Sequence, residues 1–323
     1  MPVMSRRHIV GCASALGLSF VAIIGTVRRT DAAVHPLRND SASTARITRV
    51  RSAPELLRFV DDSLRGRSGK LFARFIAPGA PTGVLPAFQQ LFGDTASRRP
   101  GVYTVAGALS RPFAFIALHP FVEKRRGVLG AYQIGFWPGE RGDVGAGYGN
   151  PAGFIEVTPE NADLPVSEHF RLRDFLTHDQ SNLWPKYLVL RENLVDKLEL
   201  VIEELQRSGI PVQHMAVMSG FRTPRYNAAG GNTSGRARLS RHMFGDASDV
   251  FVDNDGDGRM DDLNHDGRID YRDAQVIVDA SDRVEHAHPE LVGGGGVYGA
   301  TAAHGPFAHI DARGKRARWG NTR

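Results

Sequence analysis

The 323-residue chain contains a single cysteine, Cys12, which lies in an apolar segment near the N-terminus. The rest of the chain therefore cannot form a disulfide, use a cysteine nucleophile or bind a metal through sulfur. Any metal site outside that segment must use imidazole, carboxylate or backbone donors.

The chain also lacks a strong charge imbalance. The formal net charge is only +5, and contents of 41% hydrophobic and 23% charged residues are ordinary for a soluble globular protein. Basic residues are scattered, without an RNA-recognition aromatic pattern or a basic helix, so we expect no nucleic acid partner. A mildly basic surface suits an anionic cell envelope instead.

The N-terminus carries a targeting pattern. Residues 9–27 contain no charged side chain, follow two arginines and precede a pair of small alanines. This order is typical of an export signal, and the length also allows an uncleaved membrane anchor. We predict a signal peptide or anchor over 1–33 and a polar linker over 34–55. The rest of the protein would then lie in the periplasm or cell envelope, with possible anchoring to the inner membrane through the apolar segment.

Short apolar runs separated by glycine and proline characterise residues 56–163 and predict a small β-rich domain. His119 and Trp137 lie within such runs and are expected in the core. No chemical site is evident here, and the domain could bind the cell wall, dock a partner or act as a spacer. The predicted strands are residues 101–107, 111–121, 129–140 and 152–160.

Residues 164–323 predict a second domain that mixes helices and strands. Leu194, Leu198, Val201 and Leu205 recur at helical spacing, and Gly209 follows where a helix C-terminus is expected. Irregular alternation with long loops favours an α+β fold over a doubly wound sheet. The predicted elements are helices at about 190–207 and 271–286, strands at 212–219, 246–252 and 307–311, and a turn at "GGGGVYG".

Three residues of this second region have the chemistry of a metal site. His242 precedes a predicted strand, Asp249 lies on it, and His309 lies on the last strand, where Asp311 shares its face. Imidazole nitrogen and carboxylate oxygen bind zinc, and a catalytic zinc site uses three protein ligands with one open position. Spacing alone equally allows two unrelated histidines and a salt-bridged aspartate.

The stretch "SRHMFGDASD" resembles the Ser-x-His-x-x-Gly-x-Ala-x-Asp signature of the M15 zinc D-alanyl-D-alanine peptidases, which have the D,D-peptidase/hedgehog-like fold. "SGFRTPRYN" resembles the family segment with a substrate-binding arginine, here Arg222, and "FAHIDARG" resembles the segment with the last zinc ligand. The resemblance covers roughly residues 165–320, in the family's order. The matched signature positions are Ser240, His242, Gly245, Ala247 and Asp249.

This resemblance implies that His242, Asp249 and His309 bind zinc and that the substrate is the stem peptide of bacterial peptidoglycan. Zinc would activate water for attack on an amide, so no protein nucleophile is required. Arg222 would hold a terminal carboxylate or stabilise the oxyanion.

The general base is less well matched. Many members of the family that this chain resembles have an acidic residue three positions before the last histidine ligand. In this chain that position is Pro306. His304 is the nearest titratable replacement, and Asp311 is the second candidate, although it could instead orient a ligand histidine. If neither serves, the domain would bind zinc and stem peptide without efficient cleavage.

An acidic stretch directly after the predicted zinc ligand Asp249 follows the spacing of EF-type calcium loops, whose oxygens occupy positions 1, 3, 5, 7, 9 and 12. Two copies overlap, so we expect one compact loop or two calcium ions that share ligands, with the second copy favoured because it ends in a carboxylate. A solvated acidic turn without metal is the alternative. The predicted calcium ligands are Asp253, Asp255, Asp257, Asp261, Asp262, Asn264, Asp266, Arg268 (through its carbonyl), Asp270 and Asp273.

The leading functional hypothesis is an exported, calcium-stabilised zinc peptidase of the D,D-carboxypeptidase type, with an endopeptidase of the same wall as a close variant. The alternative is a non-catalytic zinc- and calcium-containing module that binds the cell wall. A third possibility assigns the function to the β-rich domain through partner binding.

Overall fold

The structure is a computed structural model that describes residues 47–51, 64–79, 84–106, 113–142, 145, 147–229 and 237–321. The predicted signal or anchor lies outside these residues. Within them, no helix is both long and apolar enough to cross a bilayer. Residues 41–323 form one compact unit.

The fold is α+β, as the sequence predicts. The helices are α1 (Leu85–Phe92), α2 (Glu192–Arg207), α3 (Pro224–Ala229) and α4 (Tyr271–Ala287). The strands are β1 (Ile47–Arg51), β2 (Ala73–Ile76), β3 (Gly101–Ala106), β4 (Ala114–Ala117), β5 (His119–Pro120), β6 (Val128–Leu129), β7 (Tyr132–Gln133), β8 (Gly153–Val157), β9 (Lys186–Leu188), β10 (Met215–Ser219), β11 (Ala247–Val252), β12 (Gly294–Tyr298), β13 (Phe307–Asp311) and β14 (Ala317–Asn321).

A five-stranded sheet with the order β10-β11-β13-β12-β14 is the centre of the C-terminal part. Helix α4 packs on β12 and β13, and α2 packs on α4. The four predicted apolar positions of α2 are fully buried, and the helix ends before Gly209, whose φ of 86° favours glycine. Side chains alternate along a strand, so one face of the sheet packs against α4 and the other remains available for a site.

The glycine-rich segment before Tyr298 is a strand and not the predicted turn. It runs antiparallel to β13 and parallel to β14, so its backbone groups are paired on both sides. A Cβ on Gly294 would lie 2.2 Å from Asp311 Oδ2, and one on Gly296 would lie 2.5 Å from Trp319 Nε1. These glycines allow two neighbouring side chains to lie directly against the backbone of β12.

The N-terminal part is organised around a four-stranded sheet with the order β1-β3-β4-β2. Strand β1, which pairs in parallel with β3, lies inside the predicted linker. An aromatic cluster packs under α1, where the Phe88 ring lies 5.0 Å from Tyr103 and 5.5 Å from Phe115. The predicted linker therefore contributes an edge strand to this sheet.

The predicted domain boundary between residues 163 and 164 does not divide the core. One continuous apolar cluster extends from Leu71 to Ile310. Trp137 is fully buried, as expected, and its indole Nε1 donates to the Met243 carbonyl at 2.8 Å. His119, also expected in the core, is only half-buried and pairs with carboxylates. The N-terminal segment is thus part of the support of the C-terminal region.

Candidate metal centre

Three donors meet on the open face of the five-stranded sheet. Asp249 on β11 lies directly opposite His309 on β13, and His242 belongs to the 3₁₀ turn Arg241–Phe244 that precedes β11. The distances are 2.8 Å from Asp249 Oδ1 to His309 Nδ1, 3.2 Å from Asp249 Oδ1 to His242 Nε2, and 3.2 Å between these two nitrogens. The predicted zinc ligands are therefore brought together by strand register and a single turn.

The turn that holds His242 depends on its neighbours. Gly245 has a φ of 68°, and a Cβ there would lie 2.4 Å from the Val189 carbonyl oxygen. Arg241 and Asp246 form a buried ion pair across the turn. The fixed glycine of the signature is thus required by close backbone contact, and the ion pair holds the turn in place.

Each histidine is oriented through the ring nitrogen that does not face the other donors. His242 Nδ1 lies 2.7 Å from the Gly220 carbonyl oxygen, and His309 Nε2 lies 3.2 Å from Asp311 Oδ2. This arrangement leaves His242 Nε2 and His309 Nδ1 directed at the Asp249 carboxylate. Metal-binding histidines typically have such a carbonyl or carboxylate partner on the far nitrogen.

Burial and mutual interaction set the protonation of the cluster. Burial lowers the pKa of His242. For Asp249 burial alone would raise the pKa, but the two neighbouring histidines outweigh it and hold the pKa well below its ordinary value. The carboxylate is therefore ionised and His242 favours its neutral form, and both are the protonation states in which these groups bind a metal. Burial alone would lower the pKa of His309, but Asp249 and Asp311 outweigh it and raise the pKa, so this ring would release a proton on binding a metal.

The donor set fits zinc. Ligand atoms of a tetrahedral zinc ion, with bonds of about 2.0–2.1 Å, lie roughly 3.3 Å apart. The observed separations of 2.8–3.2 Å are close to this value. All three residues are at least nine-tenths buried. The three side chains could therefore hold a metal ion.

Arg222 lies at the edge of the cluster, as predicted. Its Nη2 donates to Asp249 Oδ2 at 2.5 Å, and its Nε donates to Ser219 Oγ at 2.8 Å. Its backbone N–H donates to the His242 carbonyl at 3.2 Å. A guanidinium has five N–H donors, so those of Nη1 remain to bind another group.

The other two predicted catalytic residues differ in their surroundings. Asp311 is fully buried and accepts from the Gly294 N–H at 2.7 Å and from Arg313 Nε at 2.8 Å, besides its contact with His309. These bonds suit the second of its two predicted roles, in which it orients His309, and its role as a base stays a prediction. His304 is half-buried, and its ring packs edge-on to Phe307 at 5.0 Å.

Sequence reasoning missed an aromatic wall beside the cluster. The Trp319 ring lies 5.1 Å from His309, and its Nε1 donates to the Tyr298 hydroxyl at 2.7 Å. Tyr298 in turn stacks on Phe307 at 4.6 Å. The two glycines of β12 make room for the indole, but a glycine-rich segment by itself predicts a turn and does not reveal the aromatic neighbour.

The acidic stretch forms two successive loops of different character. In the first, carboxylate oxygens of Asp253, Asp255 and Asp261 lie within 4.8 Å of one another. Within the described residues, the acidic groups of the second loop do not converge in this way. The structure thus favours the first copy, whereas the sequence favoured the second.

The residue expected to close the second copy has another role. Asp273, the expected terminal ligand, is fully buried and accepts from the N–H groups of Leu263 at 2.9 Å and Asp270 at 2.8 Å. It therefore forms part of the N-terminal cap of α4. Met260 of the first copy is buried, whereas the equivalent Ile269 is 50% exposed.

Comparison with known proteins adds no relative: no family model, no curated protein and no solved structure matches the chain.

Proposed function

We propose that the protein is a zinc-dependent peptidase that acts on the stem peptide of bacterial peptidoglycan, of the D-alanyl-D-alanine carboxypeptidase type in a D,D-peptidase/hedgehog-like domain. The observation that supports this most strongly is the buried group of two histidines and one aspartate with a partly exposed arginine at its edge. A purely structural zinc site normally has four protein ligands, whereas three leave a position for water or substrate.

Zinc, when bound, would polarise the amide carbonyl and lower the pKa of water. Arg222 is held by Ser219 and Asp249, so its remaining donors can bind a peptide carboxylate or the developing oxyanion with little loss of side-chain freedom. Tyr298 accepts a hydrogen bond from Trp319, and its own proton is therefore available to a substrate oxygen. Burial raises the pKa of this hydroxyl, which keeps it protonated at neutral pH.

His304 is the proposed proton carrier. It belongs to the loop before β13, and its Nδ1 lies 2.8 Å from the Gly305 carbonyl oxygen, so Nε2 is the nitrogen that can exchange a proton with substrate. An imidazole is suited to this role near neutral pH. This assignment stays a prediction, because the ring contacts Phe307 and not the metal-binding donors.

We also propose that the first acidic loop binds calcium. Asp253 is buried, and its loop begins immediately after β11, the strand that carries Asp249. A cation between Asp253, Asp255 and Asp261 would offset their mutual repulsion and fix the end of that strand. Export to the periplasm or cell envelope fits both ions, and it stays a prediction from the N-terminal residues.

The direct test is digestion of purified muropeptides by the zinc-loaded protein, followed by mass spectrometry. We expect loss of a terminal D-alanine, or a single specific stem cut, that disappears on chelation and returns with zinc. The His304→Ala variant should retain zinc but cleave more slowly by about 10²- to 10⁴-fold, the usual contribution of a general base.

The second candidate function is a non-catalytic module that binds the cell wall. Pro306, at the position where many members of the resembled family have an acidic residue, favours it. Stoichiometric zinc with intact muropeptides, together with zinc-dependent binding to peptidoglycan, would decide for this alternative.

A further inference from the structure

A second groove lies beside the segment that carries Arg222. It has a volume of about 540 Å³ and is lined by Arg126, Gln133, Phe136, Arg141, Pro224 and Arg225, among others. The lining residues include three arginines and no acidic residue. This groove is not formed by the metal-binding residues and needs a separate explanation.

The positive charge of the groove is not neutralised by nearby carboxylates of the described residues. Arg126 and Arg141 are exposed and have no ion pair within that part of the chain, and Arg225 has only a long one, 3.6 Å from Asp179. Glu140, next to Arg141, is instead bound by the buried Lys124 Nζ at 2.8 Å. The groove is therefore a cationic surface with available hydrogen-bond donors.

An exposed aromatic ring lies among these arginines. Phe136 is 43% exposed, and the Arg141 guanidinium lies 5.4 Å from its ring centre. Gly127 has a φ of 80°, and a Cβ there would lie 3.1 Å from Phe136 Cε2. The ring of Phe136 thus presents an apolar surface beside the charged groups, which suits a ligand with both an aliphatic chain and an anionic end.

The groove and the metal centre are joined by a short, fixed connection. The Arg222 N–H donates to the carbonyl of the metal-binding His242, and three residues later the Arg225 N–H donates to the Ile134 carbonyl at 2.9 Å. Gly135 contacts Arg225 so closely that a Cβ would lie 2.7 Å from its backbone nitrogen. Three residues span at most about 11 Å, so the Cα atoms of Arg222 and Arg225 lie within that distance of each other.

We propose that this groove binds a second carboxylate of the substrate peptide, several bonds away from the bond that is cut. A guanidinium fork matches a carboxylate with two parallel hydrogen bonds, and Phe136 would pack on the methylene groups that carry it. The inference depends on the proposed function for the identity of the peptide. It names the substrate class as acidic stem peptides, which have a free carboxylate on the D-glutamate residue.

The test compares two synthetic pentapeptides that differ at one group, L-Ala-γ-D-Glu-L-Lys-D-Ala-D-Ala and its analogue with the D-glutamate carboxylate amidated. The zinc-loaded full-length protein should cleave the acidic peptide with a kcat/KM about tenfold higher, mainly through KM. In Arg126→Gln/Arg141→Gln the ratio should fall to about one. In the matched control Arg98→Gln/Arg99→Gln, which removes two exposed arginines elsewhere, it should persist.

A ratio that the Arg126→Gln/Arg141→Gln substitution leaves unchanged would overturn the proposed site while leaving the peptidase intact. If neither peptide is cleaved, the proposed function fails, and calorimetric titration with N-acetyl-D-glutamate judges the groove alone. Binding that is lost in the double variant, but not in the control, supports the site. The site is overturned if N-acetyl-D-glutamate does not bind, or if the double variant binds it as tightly as the unsubstituted protein does. Tighter binding of inorganic phosphate than of N-acetyl-D-glutamate also overturns it.

Discussion

The two candidate metal regions are consecutive in sequence but are built in opposite ways. The proposed zinc donors come from a turn and two neighbouring strands and are buried, and two of them lie 60 and 67 residues before His309 in the sequence. The proposed calcium donors of the first acidic loop lie within nine positions of one another and accept hydrogen bonds from their own backbone, as Asp253 does from the Asp257 N–H at 3.0 Å.

The two candidate sites are positioned by different parts of the structure. The zinc donors are positioned by sheet register and by partners such as Gly220 and Asp311, so the fold provides the site before metal arrives. The acidic loop is shaped by local turns, so its carboxylates are close together in space because their residues are close together in sequence. We therefore expect zinc to be essential for activity and calcium to affect mainly stability.

The largest expected effect is the loss of the zinc region itself. Asp249→Ala removes one proposed zinc ligand and the carboxylate partner of Arg222. We expect kcat/KM to fall at least ~10³-fold, because several kcal/mol of transition-state stabilisation would be lost. Measurement of kcat/KM and zinc content checks this. The exposed His286→Ala is the matched control, and retention of activity in Asp249→Ala would contradict the assignment.

The next effect tests the support beneath the zinc region. Lys197 is fully buried, and its Nζ donates to Glu285 at 2.6 Å and to the Asp311 carbonyl at 2.7 Å. Lys197→Met removes both hydrogen bonds, while Glu285 keeps its ion pair with Arg318 at 2.6 Å, so the substitution should cost about 1–3 kcal/mol. Chemical denaturation measures this free energy of unfolding.

The half-exposed Lys70 provides the matched control for this substitution. It pairs with Glu203 at 3.2 Å near the surface, so Lys70→Met should cost no more than about 1 kcal/mol. Equal destabilisation by the two substitutions would show that the Lys197 pair does not support the sheet.

A third effect concerns the glycine strand, which has no counterpart in the acidic loop. Gly296→Ala places a Cβ 2.5 Å from Trp319 Nε1, whereas Gly305→Ala meets nothing within 4 Å. The first should cost about 1–3 kcal/mol, as overpacking does, and should raise KM because the aromatic wall moves. The second should change little. Similar unfolding curves for the two variants would contradict the close packing.

A fourth effect separates the two acidic loops. Calcium at about 100 times its dissociation constant should stabilise the protein by about 2.7 kcal/mol, a rise of several degrees in Tm. Asp253→Asn should remove most of this rise, and Asp262→Asn should leave most of it. The reverse order, measured by calorimetry with and without calcium, would restore the second copy as the calcium site.

The smallest effect lies outside both regions, at His119. Burial alone would lower its pKa, but ion pairs with Glu156 and Glu123 raise the pKa above the ordinary 6.5. The stabilisation is therefore fully present below 6.5 and is lost as pH rises through the higher folded value. His119→Gln should cost up to about 1 kcal/mol near pH 5.5 and less near pH 9. Urea denaturation at both values, with exposed His286→Gln as control, measures this; equal costs would contradict the ion pairs.

Much of the C-terminal architecture follows from local pattern. The apolar period of α2 and the strand that ends in Asp311 give signals within a few residues, and the structure has both elements close to their predicted bounds. The three metal donors could be named because strand alternation and a family resemblance pointed to the same residues.

What the sequence could not give depends on long-range contacts. The extended Gly294–Tyr298 segment exists because β13 and β14 pair with it on both sides, and no local preference of glycine predicts that. Likewise, Trp137 binds the Met243 carbonyl from more than a hundred residues away, which joins two predicted domains into one core. The difference between the two acidic loops lies in which carboxylate oxygens converge in space, and the two similar sequence copies do not reveal it.

The most direct test of the central claim is X-ray absorption at the zinc edge of the protein loaded with one equivalent of zinc in calcium-containing buffer. We expect two imidazole nitrogens and carboxylate oxygen at about 2.0–2.1 Å from the zinc ion. The absorption spectrum should change in His309→Ala and stay unchanged in Asp253→Asn. A shell of oxygen alone, or a spectrum that only Asp253→Asn changes, would place zinc in the acidic loop and contradict the account.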